Sequence, residues 1–267
     1  MSFRLDVRSD TAEGAVFFFL EGRMTKRRSW LSLMSLSTEY ERNARLVPAL
    51  ASFLPLLPLT FALGGGLKEW AAAVGGTTGI FALGAVVLAN LASALGNRLQ
   101  SQLWPDWPFD APTNIRLMPN NPDTSPQQRV RWYEQVTKLT GLDLQAEAER
   151  GDDRAMRATV NDAVERLRNR FRRGKSRARH DQESIRYGIA RNLTGMRPVW
   201  LSLSVLSCVG SWAVCFWDDA GLVWPLVASA VPVPLFLIAF CVLPSFVRTR
   251  ARYYSETFFR LLEEETA

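Results

Sequence analysis

The chain has 267 residues, 32 Lys/Arg against 26 Asp/Glu for a net charge of +6, one histidine and three cysteines. Its apolar residues, 48 % of the total, are gathered in two nearly charge-free blocks, about 46–96 and 199–247. A soluble core would require four long helices apolar all round, so that class is excluded in favour of a membrane bundle.

The segment 1–45 is expected to be an N-terminal cytoplasmic segment. Its opening MSFRLDVRSDTAEG is polar, and AVFFFL (15–20) is too short for a signal-peptide core. The first crossing is therefore expected to act as its own insertion signal. AVFFFL reads as a short strand or a hydrophobic plug, and SWLSLMSLS (29–37) as an interfacial helix.

A bilayer core of about 30 Å takes about 20 helical residues per crossing, so each apolar block holds two. The expected spans are 46–66 and 70–95 in the first block (46–96), and 199–216 and 222–247 in the second (199–247). The turns GGGLKEW and WDDAGL are short enough to force each pair into a hairpin. Pro48, Pro55 and Pro58 predict a kinked or broken first span. In the second, Gly75 and Gly79 form a GxxxG, and Ala85, Ala89 and Ser93 repeat the small-residue spacing. That is a helix-packing face, serving contacts within one chain or between subunits of a homo-oligomer, the expected assembly. Ser204, Ser207 and Ser211 either bind neighbouring helices or line a hydrated path. No charged residue lies deep in a span, which weighs against proton-coupled transporters.

The segment 97–198 is expected to be a helical insert. Ser125-Pro126-Gln127-Gln128 reads as an N-cap, a proline at the first helical position and a capping-box glutamine, for a helix ending at Gly141. A second helix, about 152–173, puts Met156, Val160, Ala163, Val164, Leu167 and Phe171 on one face. A third runs from about His180 towards span three, and 248–267 reads as a C-terminal helix ending acidic. Basic residues flank the spans at 26–45, through the insert and at 248–252, while the turns are acid-rich. By the positive-inside rule both termini and the insert are assigned to the cytoplasm. The expected fold is thus an all-α membrane protein, two transmembrane hairpins (four spans) with a cytoplasmic helical insert.

Within the insert, RLRNRFRRGKSRAR (166–179) carries eight Lys/Arg and no acid. Arg166, Arg170, Arg172, Arg173, Lys175, Arg177 and Arg179 are candidates for contact with an anion or partner. Three uses are open: docking on the lipid bilayer, binding the phosphates of a nucleotide or nucleic acid, and recruiting an acidic cytoplasmic protein. The alternative is a solvated face that only sets topology. Neither Walker, dinucleotide nor zinc-binding motifs occur, and one histidine without a nucleophile does not make a catalytic site. No enzyme activity, cofactor or metal is expected, and His180 reads as an exposed loop residue.

Tyr187, Gly188, Arg191, Asn192, Leu193, Gly195 and Pro198 form the pattern Y-G-x-x-R-N-L-x-G-x-x-P immediately before the third span. The pattern resembles a motif of an uncharacterised group of bacterial four-span membrane proteins. Pro112 and Thr113 in APTNIRLM match a second segment of that group, while Ile189 and Ala190 depart from its pattern. The likeness covers the insert and span layout and not the N-terminus. It implies a bacterial inner-membrane protein of a mobile or antiphage-defence kind, with no enzyme activity attached. Physically the motif suits a membrane joint: Tyr187 at the headgroups, Arg191 and Arg197 on phosphates, Asn192 on exposed carbonyls, and Gly195 and Pro198 breaking the helix. The expected function is a membrane effector or sensor, with the insert receiving a cue and the bundle changing assembly or permeability. The alternative is a scaffold that recruits a soluble partner through the basic patch.

Overall fold

The computed structural model describes residues 42–64, 78–218 and 221–267, which lie in one compact unit, Glu39–Ala267. The expectations for AVFFFL, SWLSLMSLS, Gly75 and the start of span two fall outside these residues, as do the surroundings of Gly79 and the side chain of Ala85. The regular secondary structure of the described residues is all helical, without a strand. In chain order the helices are α1 (Arg42–Ala62), α2 (Thr78–Leu103), α3 (Pro112–Leu117), α4 (Pro126–Thr140), α5 (Leu144–Arg150), α6 (Asp153–Phe171), α7 (Arg177–Gly195), α8 (Arg197–Asp218) and α9 (Val223–Thr266). Among the described residues three of them, α1, α8 and α9, are long and apolar enough to cross a membrane.

The prolines break α1 as expected. It is a π-turn (Arg42–Leu46), an α segment (Val47–Ala51), a 3-10 turn (Leu54–Leu56) and a second α segment (Leu57–Ala62), with Pro48, Pro55 and Pro58 near the starts of the last three. Restarting a helix leaves first-turn N–H groups without partners. One of these, Leu59 N, donates to Ser207 Oγ of α8 at 3.3 Å. Ser204, Ser207 and Ser211 are all buried, and a Cβ on neighbouring Gly210 would meet Leu59 Cδ1 at 2.8 Å. The serine face of α8 is therefore a packing surface against α1. Phe61 stacks on Trp224 of α9 with centroids 4.6 Å apart. Val205, Leu206 and Val209 of α8, with Val233, Phe236, Leu237 and Phe240 of α9, stand exposed, as a face turned to lipid would. Trp200 is buried and donates Nε1 to Leu193 O at 3.4 Å.

Two boundaries differ from expectation. The helix α2 continues past residue 95 to Leu103, and α9 carries span four and the 248–267 segment as one helix of 44 residues. Its last third is part of the insert: Phe258, Phe259, Leu261 and Leu262 join Leu117, Trp132, Tyr133, Val136, Leu144, Met156, Val160, Ala163, Val164, Leu167 and Phe171 in one core. All six apolar residues expected on α6 are in it. Phe259 stacks on Trp132 at 4.0 Å, and Phe258 meets Phe171 edge-on at 5.3 Å. The insert does not have a core of its own without α9.

At α4, Ser125 Oγ accepts from Gln128 N at 3.3 Å, and Gly141 closes the helix at φ 74°, the left-handed value glycine tolerates. The capping box is not reciprocal, because Gln128 Nε2 donates to Glu263 Oε1 at 2.9 Å. Trp132 Nε1 donates to the same oxygen at 3.1 Å. Two short helices, α3 and α5, precede and follow α4.

Candidate functional site

The motif before span three lies where α7 meets α8, with Met196 as a one-residue break between them. Helix α7 packs against both α2 and α9. The crossing with α2 is a backbone contact: a Cβ on Gly195 would lie 2.6 Å from Gly96 N and 2.7 Å from Leu95 C. A Cβ on Gly96 would run into the Asn192 side chain. Glycine is required at both positions because there is no room for any side chain. The small-residue face of α2 thus continues from buried Ala89 through Ala92 to Gly96, and its closest approach is one turn beyond the GxxxG and small-residue repeats.

Proline leaves two carbonyls in the bundle short of donors, and the motif supplies both. The residue four after Ala44 is Pro48, which has no N–H, and Asn192 Nδ2 donates to Ala44 O at 2.8 Å. In α9, a second π-turn (Ile238–Val242) shifts the ladder so that Leu243 N bonds Ile238 O. The next donor in that register falls on Pro244, and Arg197 Nη1 donates instead to Ala239 O at 3.2 Å. Arg197 Nε also donates to Thr194 O at 2.9 Å, and its guanidinium sits 5.5 Å from the Phe240 ring centroid. Arg191 donates to Gln100 Oε1 (2.7 Å) and Asn192 Oδ1 (3.1 Å), and Tyr187 OH reaches Gln100 Oε1 at 3.4 Å. Tyr187 lies between Trp104 (6.4 Å) and Tyr254 (6.2 Å). Gly188 is buried, and Pro198 is the second residue of α8.

The reading of Asn192 as a binder of exposed carbonyls agrees with this geometry. The reading of Arg191 and Arg197 as phosphate contacts does not, since both turn inward onto protein oxygens. Gln100 and Gly96, the partners on α2, carry no sequence signal that separates them from ordinary helix residues.

The basic run follows a different plan. Arg166 Nη1 donates to Thr140 O at the end of α4 (2.9 Å). Arg168 faces inward, donating to Thr113 Oγ1 at 3.2 Å and lying 5.8 Å from the Tyr254 ring centroid. Three acids answer others: Arg170 pairs with Glu265 (3.6 Å), Arg179 with Glu264 (2.6 Å) and Arg177 with Asp181 (3.4 Å). Ser176 Oγ donates to Glu265 Oε1 at 3.0 Å. Arg172, Arg173 and Lys175 have no ion-pair partner among the described residues. The run is therefore not a bare patch: two of its eight basic residues pair with the end of α9 and a third with Asp181. The acidic end of the sequence was visible, but not its partner.

His180 is buried, not an exposed loop residue. Its Nδ1 lies 3.3 Å from Asp181 Oδ1 and its Nε2 lies 3.2 Å from Tyr254 OH. Burial pushes its pKa below the ordinary value; the Asp181 hydrogen bond pulls it up, and the charges of Arg172 and Arg168 push it down. On α4, burial raises the Tyr133 phenol to about 12, against a lowering by Arg129, and its OH donates to Leu117 O at 2.6 Å. Both groups stay neutral near pH 7 and serve packing. Among the described residues no group of His, Cys, Asp and Glu side chains is arranged to hold a metal ion.

Searches against family models, curated proteins and solved structures found no match for the chain.

Proposed function

We propose that the protein is a bacterial inner-membrane sensor and effector of four spans, working as a homo-oligomer. Both termini and the insert face the cytoplasm; the insert receives a cue, and the bundle answers by changing its assembly or permeability. The observation that carries this reading is α9, a single helix of 44 residues that begins among exposed apolar side chains and ends inside the insert core. A helix shared by two cores links their arrangements, because packed cores have discrete arrangements. The deformable points are also in place: the π-turn and Pro244 in α9, and the broken α1.

Releasing the end of α9 should therefore act as a surrogate cue. Cells expressing E264K/E265K are expected to lose membrane potential, read with a potential-sensitive dye, while cells with the unaltered chain retain it. Equal potentials at equal membrane levels would overturn the effector reading. The scaffold reading is supported by the unpaired Arg172, Arg173 and Lys175. It is tested by copurification at low salt, expected to be lost when Arg172 and Arg173 are both reversed to Glu.

A further inference from the structure

The end of α9 and the run 166–179 meet in an open groove lined by Arg166, Asn169, Arg170, Arg173, Gly174 and Glu265. One face of the groove is the stripe Arg166, Arg170 and Arg173, which share a side of α6 and the turn after it by helical spacing. The Glu265 carboxylate lies in it as an anion would: ion-paired to Arg170 at 3.6 Å, accepting from Ser176 Oγ at 3.0 Å. At Gly174 a Cβ would stand 3.0 Å from Glu265 Oε1, so the bare glycine is what lets the carboxylate come close. Glu264 and Glu265 answer only part of the positive charge, leaving Arg172, Arg173 and Lys175 uncompensated by ion pairs among the described residues.

The position of the groove decides between sources of anion. Arg179 precedes Arg197, the first residue of the apolar span, by eighteen positions of almost continuous helix, about 27 Å at 1.5 Å per residue. The same sum along α9, from Val247 to Glu264, gives about 25 Å. Along helices that stand near the bilayer normal both exceed the Debye length of about 8 Å at physiological salt several-fold, which screens headgroup charge from the groove. No aromatic residue lines the groove, and Phe171, beside Arg170 in sequence, is fully buried in the core, so no platform for stacking a nucleobase is offered. What the groove can recognise is phosphate itself, through forked guanidinium contacts.

We propose that this groove is a binding site for a soluble anion carrying two or more phosphates, with Glu265 as its resident internal competitor. Binding displaces the Glu264–Glu265 end of α9 from the run and so acts on the helix shared with the bundle. The assignment deepens the sensor reading above and rests on it only for that consequence.

The test is calorimetric titration of the full chain, in neutral phosphatidylcholine nanodiscs, with inorganic tripolyphosphate at physiological salt. Saturable binding is expected, weakened about tenfold or more in R170A/R173A through loss of charge-assisted contacts. In E264Q/E265Q it should tighten by about three- to tenfold, because a competing anion is gone. R150A, whose arginine pairs with Glu147 elsewhere on the insert, should bind as the unaltered chain does. Absence of saturable binding, or affinity unchanged in E264Q/E265Q, overturns the assignment. So does loss of tripolyphosphate binding when phosphatidylglycerol is added to the nanodisc, since lipid would then be the source of phosphate. Binding that behaves as expected in a protein whose tail variants leave membrane potential unchanged would overturn the effector reading and leave the site standing.

Discussion

Replacing Gly195 with alanine tests the joint most directly. The new Cβ would sit 2.6 Å from Gly96 N and 2.7 Å from Leu95 C, both backbone atoms that no rotamer change can move aside. The two helices must separate by most of an ångström, and overpacking of this kind costs about 1–3 kcal/mol. Separation also stretches the buried 2.8 Å bond from Asn192 Nδ2 to Ala44 O. Leaving its partners unsatisfied costs about 1–3 kcal/mol more. The gain in helix propensity on going from glycine to alanine returns about 1 kcal/mol. The net expectation is a loss of roughly 1–5 kcal/mol. Unfolding of the detergent-solubilised protein, followed by tryptophan fluorescence, should show a midpoint lower by about 2–4 °C per kcal/mol. Gly84→Ala on α2 is the matched control, since a Cβ there meets nothing within 4 Å. It should be neutral or raise the midpoint by the propensity term alone. If Gly195→Ala and Gly84→Ala behave alike, the backbone contact at the joint is not what holds these helices together.

Acidification should loosen the insert. His180 has its folded pKa lowered by burial, so its contribution is intact above the unfolded value of about 6.5 and is lost as pH falls through that value towards the folded one. Protease protection of the insert at pH 5.5 should fall below that at pH 7.5, and His180→Phe should flatten the difference; equal pH dependence in both proteins would contradict it. Arg197→Met should destabilise the bundle by roughly 1–3 kcal/mol, the value of a charge-assisted hydrogen bond, because Ala239 O and Thr194 O lose their donor. Arg197→Lys should restore little, since one ammonium does not span both carbonyls as the guanidinium fork does; chemical unfolding in detergent reads both. Phe259→Ala should cost about 3–5 kcal/mol and expose sites in α4 and α6 to limited proteolysis. An insert as protected as before would show that its core is complete without α9.

The sequence made some of this legible because the signals were local. The six apolar residues of α6 announce their burial by spacing alone, Ser125 and Gly141 mark the ends of α4, and three prolines foretell the breaks in α1. The segment RARYYSETFFRLL is equally periodic, yet periodicity specifies a face and not the partner that covers it. Its union with the insert core depends on residues 258–262 meeting residues 117–171, a pairing no short window contains. The basic run shows the same limit. Charge density was plain, but the counter-charges at 264 and 265 lie some ninety residues away in sequence. His180 was misjudged because its neighbours in sequence are charged, whereas its neighbours in space are Phe171 and Tyr254. The motif Tyr187–Pro198 lies where α7 meets α8. The roles of Asn192 and Arg197 there turn on two proline-deprived carbonyls in other helices, and that of Arg191 on Gln100 of α2.

That the insert borrows Phe258, Phe259, Leu261 and Leu262 from beyond span four also fixes an order of events during synthesis. The ribosome delivers α4 and α6 long before these residues, so the nascent insert must wait with Trp132, Tyr133 and Phe171 unburied. Only after the last apolar helix has been made and inserted can its extension seal that surface. A chain in which the apolar part of α9 is misplaced cannot bring these residues to that core, and would present an unfinished apolar surface to proteases. Folding of the insert thereby becomes a check on insertion of the membrane part.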